Sequence, residues 1–138
     1  MNATQAAAAI RTKFDTDWTA ANPTVPVYWE NENNELPSDQ PFVHVSIRYG
    51  AARIATIGGD GNNVHRQSGE VIIRVFEISS YGMERARDYA DDAATIFRGY
   101  RSGDLHFYTA ALAGSPDELD GNVISLTVLA SFFFDLIG

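Results

Sequence analysis

From Ile124 to Phe134 every even-numbered residue is apolar: Ile124, Leu126, Val128, Ala130, Phe132 and Phe134. Ser125, Thr127 and Ser131 stand between them, and Asp135 follows. Side chains alternate across a strand with period two, so this stretch predicts a long β-strand with one face on a core. Leu129 and Phe133 interrupt the polar face with large apolar groups that require a second partner. The same alternation marks Val43, Val45, Ile47 and Tyr49 against His44, Ser46 and Arg48. Gly69 to Ser79 is apolar on both faces, with Val71, Ile73 and Val75 on one and Ile72, Phe76 and Ile78 on the other. A two-sided strand is central or is covered by a neighbour. A further strand is expected from Leu105 to Ala111, with the acidic turn Ser115 to Gly121 reversing the chain into the last strand.

Two segments have the helical period instead. Ala7, Ile10, Phe14, Trp18 and Ala21 recur at spacings of three and four within Thr4 to Asn22, and Pro23 marks the stop. Met83, Ala86, Ala90, Ala93 and Phe97 form the stripe of a second helix from Gly82 to about Tyr100, whose alanines permit close packing on a sheet. Val25 to Trp29 suits a short edge strand, since Pro26 has no N–H for a ladder, and Glu30 to Gln40 reads as a polar loop. The clear elements run α-β-β-α-β-β. That order predicts an α+β domain, a mainly antiparallel sheet with both helices packed on one face.

The length of 138 residues fits one domain, 1–138, with a single core. Within it Gly50 to Ser68 stands apart, with Gly50, Gly58, Gly59 and Gly61 beside Asp60, Asn62 and Asn63. We expect a projecting loop or hairpin there, with Arg53, Asp60 and Arg66 as its candidate contact residues, mobile in the isolated protein and ordered by a partner.

Charge narrows the partners. The net charge of −8 is spread as −3 over 1–49, −2 over 70–98 and −4 over 99–138, with +1 over 50–69. A chain with no basic stripe is poorly suited to gripping nucleic-acid phosphates, so specific nucleic-acid binding is not expected. No apolar run has the length needed to span a bilayer, and the first ten residues lack the pattern of a signal peptide. Folding in a cytosol, without a membrane partner, is the expectation.

Candidate chemistry is sparse. Zero cysteines remove disulfides, thiolate metal sites and thiol nucleophiles together. His44, His65 and His106 lack metal-ligand spacing, Gly58 to Gly61 lacks the Lys and Ser or Thr of a phosphate loop, and Asp60-Gly-Asn62 lacks the glutamate of a calcium loop. Asp91 and Asp92 are adjacent on a helix and point about 100° apart. No catalytic residue, cofactor or metal is therefore assigned.

Several short patterns follow one another in a distinctive order: Phe14 and Trp18 on the first helix, Leu36-Pro37 before Pro41-Phe-Val-His-Val45, Arg66-x-x-Gly69-x-Val-Ile-Ile-x-Val-Phe76, Tyr81-Gly82 with Ala90-Asp91 and Ile96-Phe97, and a last strand ending Phe132-Phe-Phe-Asp135. In that order they resemble the tail terminator, or tail completion, proteins of long-tailed bacteriophages. The resemblance implies a structural, non-enzymatic virion protein without cofactor, in which six copies form a ring. Such a ring caps the tail tube, ends its polymerisation and joins the tail to the head. The implied partners are the chain itself, a tail tube protein and a head-tail connector protein, and the implied location is the head-proximal end of the tail, reached from the host cytoplasm.

The residues fit that expectation in two ways. Ile72 and Phe76, beside Leu129 and Phe133, give a second apolar sheet face, and these four are the candidate subunit contacts. An acidic surface suits a hole through which DNA slides. Other readings of the same residues are a head-tail connector or tube protein, an unrelated oligomeric binding module, and a small enzyme or ligand-binding domain.

Overall fold

The structure, a computed structural model, describes residues 1–30, 37, 39–59, 61–78, 80, 82–119 and 123–137. Its elements in chain order are α1 Ala3–Ala21, β1 Val27–Trp29, β2 Phe42–Ile54, β3 Val64–Ile78, α2 Gly82–Phe97, β4 Arg101–Ser102, β5 Leu105–Leu119 and β6 Val123–Ile137. The six strands form one sheet in the order β1-β2-β3-β6-β5-β4. Every neighbouring pair is antiparallel except β1 with β2. The fold is therefore α+β as expected, with a mixed sheet. The two short edge strands, β1 and β4, extend the α-β-β-α-β-β order.

The expected face of β6 is the core. Val128, Ala130 and Phe132 are fully buried, and Ile124, Leu126 and Phe134 nearly so. Val71, Ile73 and Val75 of β3 and Val43 and Val45 of β2 complete that layer. Both helices cover it through an aromatic chain. Phe14 of α1 lies 5.9 Å from Phe97 of α2, Phe97 stacks at 4.5 Å on Phe107 of β5, and Phe107 lies 5.4 Å from Phe132 of β6. Trp18 stacks on Phe14, and its buried indole N–H donates to Val25 O, the acceptor that an indole taken out of water needs. The α1 stripe is turned slightly from the expected one: Ala6 is buried, Ala7 is half-buried and Ala21 is exposed. The helix begins with a capping box, in which Asn2 and Gln5 satisfy each other's backbone N–H groups.

Three strand boundaries differ from the sequence reading. The β2–β3 ladder continues past Tyr49 and Gly69 to Ile54↔His65, so regular pairing occupies much of the Gly50 to Ser68 segment. It does so through a register shift between Tyr49 and Ala52. There Gln67 Nε2 donates to Gly50 O and Ser68 Oγ donates to Ala51 O, so side chains of β3 satisfy carbonyls that the bulge displaces. Likewise β5 continues into the expected turn, with Asp117 opposite Ser125 and Leu119 opposite Val123. A second irregularity, between Ala113 and Asp117, absorbs Gly114 (φ +72°) and Pro116, residues that a regular central strand would not accept. Helix α2 ends at Phe97, three residues before the expected end, and Gly99 (φ +71°) takes the left-handed conformation that follows many helix ends. The expected polar loop from Glu30 to Gln40 and the candidate Asp60 fall largely or wholly outside the described residues.

Candidate assembly surface

The sheet face opposite the helices has no layer of its own packed on it among the described elements. Ile72, Phe76, Leu129 and Phe133 all project to this face, because Ile72 pairs with Leu129, Phe76 with Ser125 and Ser68 with Phe133, on the parity opposite to the core positions. The structure places the four differently. Ile72 and Leu129 are direct cross-strand partners, both half-buried, at the centre of the face. Phe76 is only 7% exposed, since it stacks on Phe42 at 4.5 Å and lies under the Arg74 guanidinium at 5.0 Å. Arg74 also donates to Ser125 Oγ at 3.4 Å.

Phe133 belongs to a second cluster. His106 of β5 stacks on its ring at 4.8 Å and 7°, and the Arg66 guanidinium sits 4.2 Å from the ring centre. Arg66 is at the same time held by Asp135 through two hydrogen bonds, Nε to Oδ1 at 2.8 Å and Nη2 to Oδ2 at 3.0 Å. The planar guanidinium suits this combined task, a fork towards a carboxylate and a face towards an aromatic ring. The hydrogen bonds from Arg66 hold the Asp135 carboxyl below its ordinary range against a smaller opposing effect of burial. The same bonds raise Arg66 further. An arm candidate and an interface candidate thus meet on one face. Next to them Arg53, opposite Arg66 in the ladder, Tyr108 and Ser68 complete a shallow pocket of about 380 Å³. Tyr108 is 55% exposed over this pocket.

Charge on this face is the reverse of the chain's. Among the described side chains, Arg48, Arg53, Arg66 and Arg74 fall here by register against Glu70 and Asp135. Arg48 is bonded to Glu70 and Arg66 to Asp135. A net basic face on a chain of −8 leaves the acidic excess to the other surfaces.

Sequence reasoning placed Asp135 on the outward face of the last strand but missed its pairing with Arg66, and it missed Tyr108 and His106 as members of this surface. The face that each β5 residue takes depends on its register against β6, and the irregularity between Phe107 and Ala110 shifts the parity, so the pairing cannot be read from spacing. It also missed Glu77. This carboxylate is 1% exposed on the core parity of β3, where Oε2 lies 3.1 Å from Arg85 Nε and Oε1 accepts from Ile78 N. Its position ties the end of β3 to the first turn of α2. Among the described residues no three His, Cys, Asp or Glu side chains gather as a metal site requires, and no helix is long and apolar enough to cross a membrane.

Such a surface offers apolar, aromatic and cationic groups over a broad area around a shallow pocket. Those are the properties of a protein-contact surface. One solved protein structure aligns with a TM-score of 0.58 at 22% identity, covering 94% of this chain and 93% of its own, which shows a shared fold. A stretch of 112 residues is 30% identical to the uncharacterized outer membrane usher protein YhcD of Escherichia coli (strain K12), covering 76% of this chain but 14% of that protein's length. A profile of the phage tail terminator proteins matches residues 5–106, from the first turn of α1 to the start of β5. With most of its length inside that match, the chain belongs to the phage tail terminator family, a family of structural proteins of the virus particle.

Proposed function

We propose that this protein forms a ring of six copies that caps the finished tail tube, ends its polymerisation and presents the surface to which the head is joined. The family match over residues 5–106 carries this reading. The bare sheet face supports it, since a subunit that contacts tube, connector and neighbours needs such surfaces. Within that face Ile72 and Leu129 offer the apolar contact. Phe76 and Phe133 are largely occupied by partners in their own chain, and Arg53 and Tyr108 border the pocket beside them. Tail tube protein and head-tail connector protein are the partners, with DNA passing through the ring without specific recognition. The location is the head-proximal end of the tail.

The decisive experiment adds the purified protein to growing tail tubes and measures their length and their joining to filled heads. Defined lengths and restored joining are expected. Tubes that lengthen unchecked and tails that stay unjoined would overturn the proposal. Leu129→Asp, which places a charge on the half-buried centre of the face, should abolish the activity while leaving the fold intact by circular dichroism.

A further inference from the structure

Among the described residues the sheet ends on both sides in edges that its short outer strands leave open. On one side β1 covers β2 only from Val43 to Val45. Val43 N donates to Pro26 O, Val45 O accepts from Glu30 N, and Ile47 N is capped by Glu30 Oε1. These bonds fix the outward direction of the backbone at 43, 45 and 47. Ala55 N turns inward to Val64 O. Alternation, with the bulge between Tyr49 and Ala52, then places the outward groups of the uncovered part at Tyr49, Ala52 and Ile54.

On the other side β4 covers β5 only at Leu105 and His106, and Phe107 N donates outward to Tyr100 O. Beyond it Ala110 O is capped by Arg98, which donates from Nε at 3.3 Å and Nη2 at 2.9 Å. Leu112 is the next outward residue, and the stretch from Tyr108 to Gly114 contains no charged residue and no proline. Natural edges are ordinarily blunted by such residues. Here the blunting is partial: Arg98 caps Ala110 O on β5, and on β2 the open stretch holds Arg53 and the bulge, while the remaining outward groups have no such cover among the described residues. Large exposed apolar side chains stand on the two open edges, Tyr49 at 44% and Ile54 at 55% on β2, and Leu112 at 45% on β5.

We propose that the edge of β2 at Tyr49–Ile54 pairs with the edge of β5 at Ala110–Gly114 of a second copy, and that this contact repeats around the ring. The inference rests on the ring reading above and names the joint within it. The occupant is a second copy because each chain carries both halves of the contact on opposite sides of one sheet. In the order β2-β3-β6-β5 every step is antiparallel, so β2 and β5 run in opposite directions. A rotation about an axis along the strands keeps each direction, so β5 of one copy meets β2 of the next antiparallel. A foreign strand would cover one edge and leave the other open. A two-fold pairing of like edges would likewise leave one pair of edges unused.

The cysteine-free chain makes the test clean. Ala52→Cys or Arg53→Cys is combined, in one chain, with Ala111→Cys, Leu112→Cys or Ala113→Cys, and each variant is oxidised in solution and on tail tubes. At least one combination should give a ladder of covalent multimers ending at the ring, while the single variants remain monomeric in denaturant. Leu112→Lys, on an exposed side chain, should weaken self-association at least tenfold with unchanged melting. Rings by mass measurement with no cross-link in any combination would overturn the edge contact and leave the ring reading standing. Covalent dimers from a single variant would overturn it in favour of like-edge pairing, and cross-links to the tube protein in favour of a foreign strand. Absence of self-association both in solution and on tubes would overturn the joint and the ring together.

Discussion

Replacing Gly69 by alanine tests the packing at the centre of the sheet. Gly69 lies on β3 between Tyr49 of β2 and Phe132 of β6. A Cβ built there would stand 2.6 Å from Phe132 Cζ and 2.7 Å from Arg48 O. Neither neighbour can yield cheaply. The Arg48 carbonyl is ladder backbone, and the Phe132 ring is fully buried among Phe107, Phe134 and Tyr49 at 5.4, 6.3 and 6.5 Å. Overpacking of a core typically costs about 1–3 kcal/mol, and two rigid neighbours place this site at the upper end. Against this, alanine gains up to about 1 kcal/mol in chain entropy over glycine. The net expectation is a loss of about 2 kcal/mol, a fall in melting temperature of roughly 6–10 °C for a chain of this size.

Urea denaturation of Gly69→Ala against the parent, with the slope unchanged, measures the loss. Phe132→Leu shortens the ring that the new methyl meets, so in the double variant the two costs should be less than additive by about 1 kcal/mol. A Gly69→Ala protein as stable as the parent, or strict additivity with Phe132→Leu, would refute the close approach.

Further expectations follow from other contacts. Phe97→Ala removes the ring that links α1 to the sheet and should cost about 3–5 kcal/mol in denaturant unfolding. Asp135 has a lowered folded pKa, so its contribution is present above the unfolded carboxylate value of about 3.9 and is lost as pH falls through the folded one. The stability difference between the parent and Arg66→Met should accordingly be largest near neutral pH and shrink on acidification, and titration of the Asp135 carboxyl by NMR should move upward in the variant. Asn2→Ala removes the α1 cap and should cost about 1 kcal/mol, read from thermal unfolding.

The strongest periodicities in the chain translated directly into structure. The alternation of β6, the two-sided β3 and the Ile10, Phe14, Trp18 stripe each occupy the places their patterns imply, because burial of one face is a local property of spacing. Strand lengths were less legible, since Pro116 and the Gly50 region signal turns locally while the ladder absorbs them as irregularities. The outer surface was the least legible. Arg66 and Asp135 are 69 residues apart in sequence, and only the register of β3 on β6 brings them together over Phe133. The family resemblance reached the functional class from the order of elements, whereas the open edges depend on where the short β1 and β4 stop.

The ladder between β3 and β6 runs without a register shift from Val64↔Ile137 to Ile78↔Val123, while both of its flanking ladders are interrupted. A load along the strands is therefore borne in shear. Its bonds share the force at once, whereas a load across the strands would peel them one after another. In a tail under the pull of a packed or departing genome, this pair would act as the stiff spar of each subunit, and strain would collect at the bulges on either side.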